Sequence, residues 1–83
     1  MFKATIFVTL KDSVLDPQGV AVKGSLHSLG FVQVQDVRIG KRLEVLLDSE
    51  SREQAEEQVQ AMCEKLLANP VIENFAYEVE EVA

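Results

Sequence analysis

The side chains that could do chemistry in this chain are few and scattered. His27 is the only histidine and Cys63 the only cysteine among 83 residues. An imidazole titrates near neutrality, so a proton-transfer role would fall to His27 first. No nucleophile or carboxylate stands at a telling spacing from it. Cys63 belongs to an apolar helical pattern, where a thiol behaves as a small hydrophobe and burial suppresses its thiolate. Glu50, Glu53, Glu56, Glu57 and Glu64 fall mostly on the opposite side of that helix, and Glu78, Glu80 and Glu81 crowd the last strand. Both groups read as solvated acidic faces. Gly19, Gly24, Gly30 and Gly40 are dispersed and match neither a dinucleotide fingerprint nor a phosphate-binding loop. One cysteine and one histidine cannot supply a structural zinc site. The residues therefore predict no catalytic, cofactor-binding or metal-ligating set.

Bulk properties narrow the class of partner. A formal net charge of -6 and a pI near 4.6 argue against nucleic acid, because phosphate binding requires concentrated Lys and Arg. No run of 18 or more apolar residues is present, and the N-terminus alternates polar with apolar residues instead of placing a basic region before an apolar one. A soluble, cytoplasmic protein is expected, with no membrane partner. A single small domain spanning 1–83 buries only about 60% of the surface its unfolded chain exposes. With no disulfide possible and no zinc, association with other protein is the remaining source of stability.

The elements that must position these residues can be read in order. Phe2, Ala4, Ile6, Val8 and Leu10 alternate with Lys3, Thr5 and Thr9, the pattern of a strand with one buried face. Phe7 breaks the alternation and suggests that the second face is covered by another subunit. Asp16 and Pro17 suit the N-cap and first position of a helix that Gly30 ends. Val22, Leu26 and Leu29 form its core-facing stripe. Val32, Val34, Val37 and Ile39 suggest a second strand with a bulge near Gln35 and Asp36. A three-residue connection around Gly40 and Lys41 would pair Ile39 with Leu43 and Val37 with Val45. Ser49 or Ser51 caps a second helix carrying Ala55, Val59, Met62, Cys63, Leu66 and Leu67 at i, i+4, i+7, i+8, i+11 and i+12. Asn69 and Pro70 stop it. A last strand holds Phe75, Tyr77 and Val79 on one face.

The order strand, helix, strand, strand, helix, strand predicts a two-layer α+β fold, βαββαβ, with two helices on one face of a mainly antiparallel sheet. This is a ferredoxin-like arrangement, or a derivative in which an edge strand pairs with another chain. Ferredoxin-like RNA-binding domains stack bases on sheet aromatics, which are scarce here. Acylphosphatases place an arginine in a phosphate-cradling loop after the first strand, where this chain has Lys11-Asp12-Ser13-Val14-Leu15-Asp16. A small regulatory domain that binds amino acids at a dimer interface is the alternative that survives.

Several segments together carry a resemblance: Val8-Thr9-Leu10-Lys11, Leu15-Asp16-Pro17-Gln18-Gly19, Leu26-His27-Ser28-Leu29-Gly30-Phe31, Asp36-Val37-Arg38-Ile39-Gly40-Lys41, and Cys63-Glu64-Lys65-Leu66-Leu67-Ala68-Asn69-Pro70-Val71-Ile72-Glu73. Over essentially its whole length the chain resembles the PurS subunit family of phosphoribosylformylglycinamidine synthase, an enzyme of purine biosynthesis. Val20 departs from it, standing where such subunits often carry a charged residue. The resemblance implies a subunit without catalysis of its own, which assembles a glutaminase subunit and an ATP-dependent synthetase subunit and aids ammonia transfer between them. It implies no cofactor bound by this chain, with ATP and magnesium held by the synthetase. A homodimer or higher homo-oligomer is expected, with Phe7 at the contact. Asp16, Pro17, Gln18, His27 and Ser28 are expected to meet the other subunits.

Overall fold

The computed structural model describes residues 1–82. Strand β1 (Phe2–Leu10) leads into helix α1 (Pro17–Ser28), strand β2 (Gly40–Leu47), helix α2 (Arg52–Met62), a π-helical turn (Cys63–Leu67) and strand β3 (Glu73–Glu81). The sheet is antiparallel, with β1 central in the order β2-β1-β3. An α+β, ferredoxin-like arrangement is therefore present.

Alternation in β1 does what its period requires. Phe2, Ala4, Ile6 and Val8 are buried beneath α2 and the π-helical turn that continues it, which contribute Ala55, Val59 and Cys63. Ile6 is opposite Leu43 on β2 and Tyr77 on β3, so the apolar sets of three strands share one face. Ser51 caps α2 by accepting from the Gln54 amide at 3.2 Å, and Arg52 ties the helix start to β3 by donating to the Val79 carbonyl. Tyr77 carries its hydroxyl to Gln60 Oε1 at 3.0 Å, which satisfies the polar end of a ring otherwise packed in the core.

Three expectations are corrected. Residues 32–39 form no strand in this chain, so neither the four-strand count nor the hairpin through Gly40 and Lys41 holds. Gly40 already lies in β2, opposite Thr9. The 37–39 segment is held instead by the N-cap of α1 and by the loop that precedes it, as described below. Secondly, α1 does not pack on the sheet as a second covering helix. Its stripe is uncovered, with Val22 39% and Leu29 74% exposed, and the molecule is elongated to 51 × 29 × 14 Å. The radius of gyration, 16.4 Å, exceeds the roughly 12 Å expected of a compact domain this long. Thirdly, Leu66 is 83% exposed instead of buried with its heptad neighbours. The Ala68 amide bonds the Cys63 carbonyl at 3.0 Å, five residues back, and that wider turn rotates the following side chains out of the α-helical phase.

Candidate functional site: the junction at the start of the first helix

Asp16 is the centre of the most connected polar cluster. It is 4% exposed, and each carboxylate oxygen has its own amide partner: Oδ1 accepts from Gly19 N at 2.9 Å, and Oδ2 accepts from Ile39 N at 2.7 Å. The first bond is an N-cap; the second fastens the segment returning from α1 to the same residue. Arg38 completes the junction by donating from Nη2 to the carbonyls of Lys11 and Val14, at 2.9 and 3.1 Å, and to Leu10 at 3.4 Å. One guanidinium thereby closes the loop between β1 and α1. Gly19 is buried where the two segments cross, and a Cβ there would lie 2.1 Å from the Val37 carbonyl oxygen.

These bonds control the charge of Asp16. The Ile39 amide, then the Gly19 amide, hold its carboxyl below the ordinary value of 3.8; burial opposes them, and Arg38 and the Gln18 amide add to them. A depressed folded-state value contributes stability that is complete above pH 3.8 and disappears as pH falls through the folded-state value. Urea midpoints measured from about pH 6 to about pH 2 should therefore fall more steeply for the wild type than for Asp16→Asn, which should be the less stable protein at neutral pH.

The far end of α1 is closed by its own backbone. Phe31 N bonds the Leu26 carbonyl at 2.9 Å and Gly30 N bonds the His27 carbonyl at 3.1 Å, with Gly30 at φ 101°; this is a Schellman stop. His27 Nε2 lies 2.7 Å from the Val34 carbonyl oxygen, which can only accept, so Nε2 carries the proton. Ser28 Oγ donates to the Gly24 carbonyl at 3.1 Å.

The residues expected to meet partners thus fall into separate places. Asp16, Pro17 and Gln18 line an open cleft of about 320 Å³ with Val8, Ile39, Lys41 and Glu73. His27 and Ser28 lie at the other end of α1, about 15 Å along the helix. Asp16 itself is buried and fully engaged, whereas Pro17, Gln18 and Ser28 are exposed. Phe7 is 43% exposed on the sheet face opposite α2, opposite Arg42 and Ala76 on the neighbouring strands. Arg38 and Gly19 hold the junction together, and reading residue by residue did not single them out. The carbonyls that Arg38 binds lie 24 to 28 residues away. No local pattern marks such a contact.

Chemistry is sparse in the folded chain. Burial, and secondarily the neighbouring Glu64, push the Cys63 thiol up from its ordinary value, which keeps it protonated. Among the described residues no three His, Cys, Asp or Glu side chains converge on a metal-sized centre, and no helix is long and apolar enough to cross a membrane.

Comparison with known proteins accounts for a fold whose polar groups are spent on structure. Residues 3–81 match the family model described as PurS, phosphoribosylformylglycinamidine (FGAM) synthase. The Bacillus subtilis synthase subunit PurS is 55% identical over 82 residues, covering 99% of this chain and 96% of that protein. The crystal structure of Methanocaldococcus jannaschii PurS, a subunit of formylglycinamide ribonucleotide amidotransferase, superposes with a TM-score of 0.88 at 40% identity, covering both chains fully. A chain in the Thermotoga maritima PurLQS structure superposes with a TM-score of 0.82 at 37% identity, over 98% of this chain and 96% of that one. This chain belongs to the PurS family of phosphoribosylformylglycinamidine synthase subunits.

Proposed function

We propose that this chain is the small non-catalytic subunit that holds a glutaminase and an ATP-dependent synthetase together in the cytoplasm, so that ammonia passes between them without entering bulk water. The observation that carries the reading is the full-length match to PurS proteins, one of them within a PurLQS structure. The side chains agree with it: His27 is bonded to a backbone carbonyl, Cys63 is buried, and Asp16 has both oxygens occupied. Glutamine hydrolysis releases ammonia, which attacks an amide carbon of formylglycinamide ribonucleotide whose oxygen ATP has activated. Protonation to ammonium would remove the nucleophilic lone pair, so an enclosed route is required. ATP and magnesium belong to the synthetase partner on this reading. Pro17, Gln18 and Ser28 supply exposed contacts to the other subunits, Asp16 and His27 shape the two ends of α1 that present them, and Phe7 contributes to contact between copies of the chain.

Reconstitution tests the assignment. Omitting this chain from a mixture of the glutaminase and the synthetase should lower glutamine-dependent amidine formation by on the order of 100-fold or more, the cost of losing alignment between reacting groups. Synthesis driven by added ammonium chloride should persist. An unchanged glutamine-dependent rate would overturn the assignment. Saturable binding of a free amino acid by the isolated chain would favour a regulatory domain instead.

A further inference from the structure

Positive and negative charge are unevenly spread along the chain. Six of the eight Lys and Arg residues precede Glu44, and eleven of the fourteen Asp and Glu residues stand at it or beyond it. Folding gathers Lys11, Arg38 and Lys41 at the junction end, where β1 runs into α1 and β2 begins. Among the described residues none of these three forms an ion pair, although Lys3 and Arg42 on the sheet do. The neighbouring carboxylates are committed to backbone amides: Asp16 to Gly19 and Ile39, Asp36 to Val37, and Glu73 to Asn69. Arg38 is the most firmly placed of the cations. Its Nη2 alone makes the bonds to Leu10, Lys11 and Val14, so the exposed guanidinium is fixed while its Nε and Nη1 donors have no partner among the described residues. A cation ordered in advance loses little freedom when a carboxylate arrives.

Apolar surface accompanies these charges. The Lys11 amide bonds the Ile72 carbonyl at 2.8 Å, which sets the turn before β3 against the loop before α1. Val71 is 80% exposed in that turn, and Leu15 is 72% exposed in that loop. The cleft of about 320 Å³ opens at the same end, with Val8, Leu10, Pro17 and Ile39 on its walls and Lys41 and Glu73 in its lining. Exposed apolar side chains rimmed by charge mark a protein contact. Charge complementarity selects the occupant, a segment that carries an apolar side chain beside carboxylates. Joining two copies through this end about a two-fold would set the same unpaired cations against each other, which favours a different subunit.

We propose that this end of the molecule, formed by Leu15, Val71 and the cleft beside Lys41, docks another subunit of the synthase, which seats an apolar side chain there and offers carboxylates to Lys11, Arg38 and Lys41. The inference rests on the subunit assignment and adds to it a surface and the chemistry of the partner. Leu15→Asp and Val71→Asp put a negative charge where the partner's carboxylates would come, on side chains too exposed to hold the core. Each should weaken binding by about 30-fold, the loss of one apolar anchor, in surface plasmon resonance against the glutaminase and the synthetase immobilised separately and together. Lys41→Glu should slow association by about 10-fold and flatten its dependence on salt. Thermal midpoints and sedimentation of the free variants should match the wild type. The subunit whose binding changes is the occupant. Wild-type binding that all three variants retain would overturn the docking surface and leave the subunit assignment standing. Loss of self-association with partner binding intact would put a second copy at this end and also overturn the proposal. A wild-type chain that binds neither subunit, singly or together, would overturn the assignment and the docking surface with it.

Discussion

Gly19→Ala is expected to loosen the first helix while the sheet stays folded. Helix propensity alone predicts the opposite sign, since alanine in a helix interior is favoured over glycine by about 1 kcal/mol. The local geometry outweighs it. A Cβ at Gly19 would stand 2.1 Å from the Val37 carbonyl oxygen and 3.0 Å from Asp16 Oδ2, and the first of these is backbone that cannot swing aside. Relief requires α1 and the 37–39 segment to separate, which stretches the bond from Ile39 N to Asp16. Overpacking of this kind costs about 3 kcal/mol, leaving a net loss of about 2 kcal/mol after the propensity gain. Because α1 lies outside the core, the loss should be confined to one cooperative unit. Amides of α1 should exchange about 30-fold faster, with β1 and β3 unchanged. Gly24→Ala is the control: nothing lies within 4 Å of its would-be Cβ, so there the propensity gain of up to about 1 kcal/mol should appear alone.

Ile6→Ala should act on the whole domain. Ile6 is fully buried in the central strand, between Leu43 and Tyr77, and belongs to the cluster that includes Val59 and Cys63. Removing its outer carbons leaves a cavity in a sheet held from both sides, at a cost of about 3 kcal/mol. A domain of this length has about 4–12 kcal/mol in total, so the variant loses a large share of it. Its Tm should fall by about 12–24 °C at fixed protein concentration. Ile6→Val, which keeps the branch at Cβ, should cost about 1 kcal/mol. A variant at Ile6 that slowed only the exchange of α1, or left Tm unchanged, would show that the core is not where stability resides.

Much of the architecture was legible before folding because it rests on contacts within a few residues. Asp16 and Pro17 announce the start of α1, since capping reaches only three residues ahead. Gly30 announces its end because a left-handed residue is sterically cheap only for glycine. The alternation from Phe2 to Val8 sorted the faces of β1 correctly, and Ala55, Val59 and Cys63 marked the buried side of α2 and of the turn that continues it. The family motifs likewise span consecutive residues, so identity was readable from the chain.

The junction was not readable in the same way. Val32, Val34, Val37 and Ile39 have the composition of a strand, yet Ile39 gives its amide to Asp16 and Val37 its carbonyl to the space beside Gly19. Strand propensity describes a side chain on a pleated surface and cannot report that a carboxylate 23 residues earlier has claimed the backbone. Leu66 fits the helical repeat, but the π-helical turn over Cys63–Leu67, closed by the Ala68 amide on the Cys63 carbonyl, shifts the phase and turns it to solvent. Periodicity likewise identified the apolar face of α1 without showing that the chain's own sheet leaves it uncovered. Local chemistry thus settled where each element begins, ends and hides its apolar side. The direction in which α1 leaves the body depends on Asp16, Gly19, Arg38 and Ile39 meeting in three dimensions, because their bonds join segments far apart in the chain.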